Sequence, residues 1–243
     1  MSEAEKMLII AHRGASSIAP ENTLKAFKKA IELGADYIEF DVHKSLDGEI
    51  VIMHDANTFR TTGHNGEIKE MTLKELKKLD CGGGQSIPTL SELVKIAKGK
   101  INLNCEVKAT GLTEQLISIL RENNLLSSTI ISSFNHENLL KIQKLEPQIK
   151  LAPLEPTIAW GIDNDLSWKE AIEKAKINNF YAINPLFRLI NQSVIDEVHK
   201  NDLKIFPWTV NSKSRILKLI NLGVDGIITN EVERVNKLLN KQY

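Results

Sequence analysis

Met7-Leu8-Ile9-Ile10-Ala11 runs straight into His12-Arg13-Gly14, and Pro20-Glu21-Asn22-Thr23 follows shortly after. A short apolar run that ends in a titratable imidazole, a guanidinium and a glycine reads as a strand. Such a strand delivers polar side chains at its carboxyl end, where α/β folds hold their chemistry. The segment after it carries helix-start residues. Glu21–Leu33 places Leu24, Phe27, Ala30 and Ile31 on one face at helical spacing, and Gly34 is positioned to stop the helix.

The same grammar repeats outward along the chain. Tyr37–Val42, Ile101–Val107, Thr129–Ser133, Lys150–Leu154, Tyr181–Asn184, Lys204–Val210 and Gly226–Thr229 read as further strands. Leu90–Ala97, Thr113–Glu122, His136–Leu145, Trp168–Lys176, Ser193–Asn201, Ser214–Leu222 and Val232–Asn240 read as helices between and after them. Strand and helix alternate about eight times, the count of a TIM (β/α)8 barrel. A doubly wound open sheet is the competing architecture, but no GxGxxG follows the first strand. One stretch breaks the rhythm. Asn57–Ile87 is polar and glycine-rich, with one short helical pattern at Thr72–Leu79 whose Thr72 and Glu75 have capping-box spacing. It reads as an insertion after the second strand, over the barrel mouth, within a single domain spanning residues 1–243.

Composition narrows the classes of function. Lys plus Arg and Asp plus Glu number 31 each, so the net charge is zero and nucleic acid is not the expected partner. The two cysteines, Cys81 and Cys105, lack metal-site or disulfide-framework spacing. No stretch approaches the ~20 apolar residues of a membrane span, and the start lacks a signal-peptide core. The expected location is cytoplasmic.

The chemistry sits at predicted strand ends. Glu39 and Asp41 alternate along one strand and share a face; Glu106 and Lys108 do the same on another. Neighbouring strand ends converge in a parallel barrel, so Glu39, Asp41 and Glu106 are expected to meet. Three such carboxylates repel unless a cation lies among them, and all-oxygen ligands suit one divalent Mg²⁺ or Ca²⁺. Asp47-Gly48 signals a hairpin. A turn centred between those two residues puts His54 directly across from Asp41 and brings it back to the same face. His43 is expected on the opposite side of its strand. The assembled site holds His12, Arg13, Glu39, Asp41, His54, Glu106 and Lys108. Two histidines move protons near neutral pH, and a cation with Arg and Lys stabilises a phosphoryl group, so these parts suit phosphate-ester hydrolysis. No GxSxG nucleophile elbow is present. Pro20-Glu21 reads as helix-start structure, and Asn22 is left without a role.

These residues also carry a resemblance. HRGAS (12–16), PENT (20–23), E-x-D-V (39–42), Asp47-Gly48 to His54-Asp55, E-x-K (106–108), Ser133-Phe134, Asn184-Pro185, W-T-V-N (208–211) and D-G-I-I-T (225–229) occur in this order. The chain thereby resembles the glycerophosphodiester phosphodiesterase family over nearly its whole length. The resemblance implies a TIM barrel that hydrolyses glycerophosphodiesters to sn-glycerol 3-phosphate and an alcohol. It implies His12 and His54 as general acid and base, Glu39, Asp41 and Glu106 as metal ligands, and Arg13 and Lys108 as phosphate ligands. It also implies attack by the glycerol 2-hydroxyl through a cyclic phosphate. Ser45 and Ser17-Ile18 depart from the usual family residues at their positions. Trp208 is expected to form a wall against the glycerol moiety. A lysophospholipase D acting on long-chain lipids, and a catalytically silent phospho-ligand module, are the alternatives. The first needs an apolar mouth that residues 57–87 scarcely offer; the second has no reason to keep every site residue.

Overall fold

A computed structural model describes residues 6–156 and 168–239. Eight parallel strands form the barrel: β1 (Leu8–Ala11), β2 (Tyr37–Lys44), β4 (Asn102–Val107), β5 (Thr129–Ser133), β6 (Lys150–Glu155), β7 (Ala182–Pro185), β8 (Lys204–Ile205) and β9 (Gly226–Thr229). A ninth strand, β3 (Ile50–Ile52), pairs antiparallel with β2 outside the ring. The ring runs β8-β7-β6-β5-β4-β2-β1-β9. It is closed by bonds from Val210 N–H to the Ile228 carbonyl and from Ile228 N–H to the Pro207 carbonyl. The expected strand at Lys204–Val210 is regular only over two residues, because Pro207 has no N–H to add to the ladder.

Helices cover the outside: α1 (Leu24–Glu32), α4 (Leu90–Ala97), α5 (Thr113–Glu122), α6 (His136–Leu145), α7 (Trp168–Ile177), α8 (Gln192–Lys200), α9 (Lys213–Leu222) and α10 (Val232–Leu239). The expected end of the last helix at Asn240 lies outside the described residues. Residues on alternate strand positions divide between two cores. Ile9, Ile38, Phe40, Leu103 and Cys105 pack outward against the helices. Ile10, Tyr37, Ile130, Ala152, Ala182, Phe206 and Ile228 fill the barrel interior. Burying one such large side chain contributes about 1.5–3 kcal/mol before entropy is counted.

Two helix starts show how local chemistry sets the frame. α1 begins at Leu24 rather than at Glu21, with the Thr23 hydroxyl accepting from the Ala26 N–H. Asn22 has φ +55°, a left-handed conformation that no α-helix can include. Gly14 has φ +79°, and a Cβ there would stand 2.7 Å from the Ala26 backbone. Only glycine lets the loop after β1 lie directly on the first turn of α1.

The segment at 57–87 is built on the β2–β3 hairpin. It contains α2 (Phe59–Thr62) and α3 (Leu73–Leu76), the latter opened by the predicted Thr72/Glu75 capping box. Ile68, Leu76, Cys81 and Ile87 form a small core of their own with Val51 and Met53. Leu46 N–H donates to the Met71 carbonyl, and Leu73 N–H to Asp47 Oδ1. The segment stands beside the barrel mouth, against the loop after β1: a Cβ on Gly82 would meet Pro20 at 3.4 Å. Among the described residues, no helix is long and apolar enough to cross a membrane.

Candidate active site

All eight residues singled out for the site lie at the carboxyl end of the barrel. His12, Arg13, Glu39, His54, Glu106, Lys108, Phe134 and Trp208 line one cavity of about 80 Å³, and Asp41 lies against Lys108 of that lining. In-register pairing explains the grouping, since Asp41 on β2 stands opposite Glu106 on β4. Glu39, Asp41 and Glu106 are each at most 8% exposed. One carboxylate oxygen from each lies within 4.8 Å of the others.

The surrounding cations are placed by the same strand ends. Lys108 Nζ is 2.6 Å from Glu106 Oε1 and 3.3 Å from Asp41 Oδ1. Arg13 donates its backbone N–H to Glu39 Oε2 at 2.8 Å, and its Nε lies 3.5 Å from Asp41 Oδ2. Asn22 Nδ2 donates to the same Asp41 oxygen at 2.8 Å. Burial, followed by Asp41 and Glu106, raises the Glu39 carboxyl well above its ordinary range. Burial and Asp41 push Glu106 up to about 7. Burial would raise Asp41 too, but Lys108 and Arg13 outweigh it and hold Asp41 down to about 2. Lys108 is the one ammonium shared by Asp41 Oδ1 and Glu106 Oε1. A cluster in which two of three carboxyls are driven toward the protonated form, despite Lys108 and Arg13 beside them, is short of positive charge. Its all-oxygen donor set fits a hard divalent cation.

The two histidines are held differently. His12 Nδ1 donates to Asn230 Oδ1 at 2.7 Å, and Asn230 N–H in turn donates to Asn211 Oδ1. His54 Nδ1 donates to Asp55 Oδ1 at 2.6 Å. Each bond leaves Nε2 as the ring nitrogen for the cavity. Burial and Arg13 pull His12 down to about 4; burial, with Lys108 and Arg13, also lowers His54. Trp208 donates Nε1 to the Asn184 carbonyl at 2.7 Å. Its ring meets Phe134 edge-on at 5.4 Å between centroids, making an aromatic wall.

Three readings of the sequence need correction. The hairpin pairs Val42 with Ile52 and Lys44 with Ile50, one residue out of the expected register, so Met53 and not His54 faces Asp41. The turn is Leu46-Asp47-Gly48, closed by Ser45 N–H to the Glu49 carbonyl with Gly48 at φ +91°; its centre is Asp47. His54 arrives because the chain leaves the strand after Ile52, not by cross-strand alternation. Second, His43 lies two residues from Asp41 and therefore shares its face; its Nε2 donates to the His54 carbonyl at 3.1 Å. Third, Glu21 is outside α1 and pairs with Arg13 and Arg60. Asn22, Asp55 and Asn230 were missed as partners of site residues. The sequence marked them only by adjacency to Glu21, His54 and Thr229.

A family profile described as the Glycerophosphoryl diester phosphodiesterase family matches residues 12–234. The chain belongs to that family. A glycerophosphodiester phosphodiesterase of Caldanaerobacter subterraneus is 39% identical over 249 residues, covering 97% of this chain and 99% of its own. A phosphodiesterase of Oleispira antarctica, solved in complex with the product sn-glycerol-3-phosphate, is 29% identical with TM-score 0.85 over 96% of each chain. A Thermotoga maritima glycerophosphodiester phosphodiesterase structure is 30% identical with TM-score 0.83, covering 97% of this chain and 100% of its own. As a member of the family, the chain is an enzyme of the phosphoric diester hydrolase class.

Proposed function

We propose that the chain hydrolyses small glycerophosphodiesters, such as glycerophosphocholine or glycerophosphoethanolamine, to sn-glycerol 3-phosphate and an alcohol. The observation that carries this reading is a cluster of three buried carboxylates, two of them lining a cavity that two cations and two oriented histidines also line. Glu39, Asp41 and Glu106 would hold one divalent cation, Mg²⁺ or Ca²⁺. When bound, that cation supplies Lewis-acid polarisation of a phosphoryl oxygen. Arg13 and Lys108 bind the remaining phosphoryl charge, which grows in the transition state. Trp208 and Phe134 pack against the glycerol carbons and keep water from that side.

In the first step the Nε2 of one histidine takes the proton of the glycerol 2-hydroxyl. The 2-oxygen bonds to phosphorus, the bond to the leaving alcohol breaks, and the second histidine protonates that alcohol. Intramolecular attack carries the advantage of a large effective concentration. Water then opens the cyclic phosphate. The second histidine takes the water proton, the new P–O bond forms, the bond from phosphorus to the 2-oxygen breaks, and the first histidine returns its proton to that oxygen.

The test is release of glycerol 3-phosphate from both substrates with Mg²⁺, Ca²⁺ or EDTA. Turnover is expected to stop in EDTA and return with cation. His12→Ala and His54→Ala are each expected to lower kcat by about 10²–10⁴-fold. Turnover without any cation, or full activity in either variant, overturns the reading. Faster reaction on lysophosphatidylcholine than on glycerophosphocholine would assign the barrel to long-chain lipids instead.

A further inference from the structure

Arg60 lies in α2 of the 57–87 segment and does not line the cavity. Its guanidinium forks between two carboxylates far apart in sequence. Nε donates to Asp55 Oδ2, and Nη2 to Glu21 Oε1 at 2.6 Å. Each carboxylate has a second partner inside the site. Asp55 Oδ1, its other oxygen, accepts from His54 Nδ1 at 2.6 Å, and Glu21 Oε1, the same oxygen that Arg60 holds, accepts from Arg13 Nη1 at 3.0 Å. One unbroken chain of charge-assisted bonds therefore runs His54–Asp55–Arg60–Glu21–Arg13. Its two ends are the imidazole assigned to proton transfer and the guanidinium assigned to phosphate.

We infer that Arg60 is a positioning residue that fixes His54 and Arg13 together, so that the 57–87 segment sets the geometry of a site it does not enter. The inference rests on the phosphodiesterase reading for the roles of those two end groups. The physical argument is one of rotation. A carboxylate bonded to an imidazole by one oxygen can still swing about its own bonds. Tying its other oxygen to a planar guanidinium removes that freedom and fixes the ring with Nε2 toward the cavity. Glu21 gives both guanidiniums one oxygen, Oε1; Arg60 steadies that oxygen, and without it Arg13 keeps a mobile Glu21 and the 3.5 Å contact to Asp41 Oδ2. Arg60 is 49% exposed, and an isolated pair at that exposure would matter little. Here the fork serves through what it orients. An ammonium cannot reproduce the fork, because one point charge cannot hold two separate carboxylates in a plane.

The experiment compares the full chain with Arg60→Gln, Arg60→Lys, Asp55→Asn, Glu21→Gln and the two double variants that contain Arg60→Gln. It measures kcat and KM on glycerophosphocholine, and it records the nitrogen-15 spectrum of the His54 ring without substrate. Arg60→Gln is expected to lower kcat by about 10–100-fold, as loss of an orienting partner typically does, with a rise of a few-fold in KM. Arg60→Lys is expected to recover only part of this. Adding Arg60→Gln to Asp55→Asn is expected to change kcat less than about twofold, since coupled residues are not additive. Adding it to Glu21→Gln should leave KM unchanged. The Nδ1–H signal of His54 should broaden or vanish in Arg60→Gln at unchanged melting temperature. Kinetics within twofold of the native chain, full multiplication of effects in the double variants, or an unaltered ring spectrum would each overturn the inference. A KM effect that persists undiminished beside Asp55→Asn and Glu21→Gln would make Arg60 a direct substrate contact, which also overturns it. A native chain that turns over no glycerophosphodiester would remove the proposed function, while the ring spectrum would still decide the chain of bonds.

Discussion

Asn22 combines two properties that seldom occur in one side chain. It accepts a left-handed backbone at φ +55°, and it presents an amide to a buried carboxylate, Asp41 Oδ2. Asparagine tolerates that conformation better than most residues, which lets the loop turn and still orient an acid. Replacing it by glycine keeps the backbone and removes only the amide. Asn22→Gly is expected to raise the Mg²⁺ concentration for half-maximal activity by about tenfold. A cation titration of the activity checks this, and an unchanged requirement would show that Asp41 needs no such support. Glu39, Asp41, Glu106 and Lys108 were readable because they alternate on strands, where spacing alone fixes a shared face. Asn22, Asn230 and Asp55 were not readable, because their roles come from partners reached across loops.

Helices and strands were legible almost residue by residue wherever their signals are local. The stretches Leu90–Ala97, Thr113–Glu122, Thr129–Ser133 and Gly226–Thr229 coincide with the regular elements. Alternation and capping act within a few residues and do not await the rest of the fold. The hairpin was misread by one residue, because Asp-Gly can close a turn of two or of three residues and the choice decides every later pairing. The 57–87 segment shows the same limit. Its capping box was visible, but not its attachment to the hairpin or its hold on the site. Leu76 is fully buried at the centre of the segment's own core. Leu76→Ala is expected to destabilise that core by about 2–5 kcal/mol and to leave the barrel strands largely protected. Hydrogen exchange should speed up within 57–87 first, with kcat falling as Arg60 loses its platform. Uniform acceleration across the barrel would show that the segment and barrel unfold as one unit.

At the scale of the whole molecule, the acidic cluster links stability, pH and cation. Glu106 is raised to about 7 from an ordinary 4.5, and Glu39 shifts in the same direction. Without cation the folded protein keeps a proton that the unfolded chain has released. That stabilisation is full below about 4.5 and is lost as pH rises through 7, about 3 kcal/mol for Glu106 alone. Asp41 is lowered, so its contribution is lost only as pH falls through about 2, outside this window. A divalent cation held by these carboxylates would have to displace that proton to bind. Mg²⁺ or Ca²⁺ is therefore expected to raise the melting temperature much more at pH 8 than at pH 5, and thermal melts in cation and EDTA at the two pH values test this. An equal rise at both would contradict the cluster as the cation site. The barrel, the strand ends that carry the acids, and His12 at the close of β1 are written in the local pattern of residues. These follow from periodicity, helix caps and turn residues, whose physics spans only a few positions. Tertiary structure alone decided how His54 reaches the site, what Asn22 and Asn230 hold, and that Arg60 joins the two ends. Those outcomes depend on hairpin register and on contacts between residues up to 218 positions apart, as from His12 to Asn230, which no local pattern encodes.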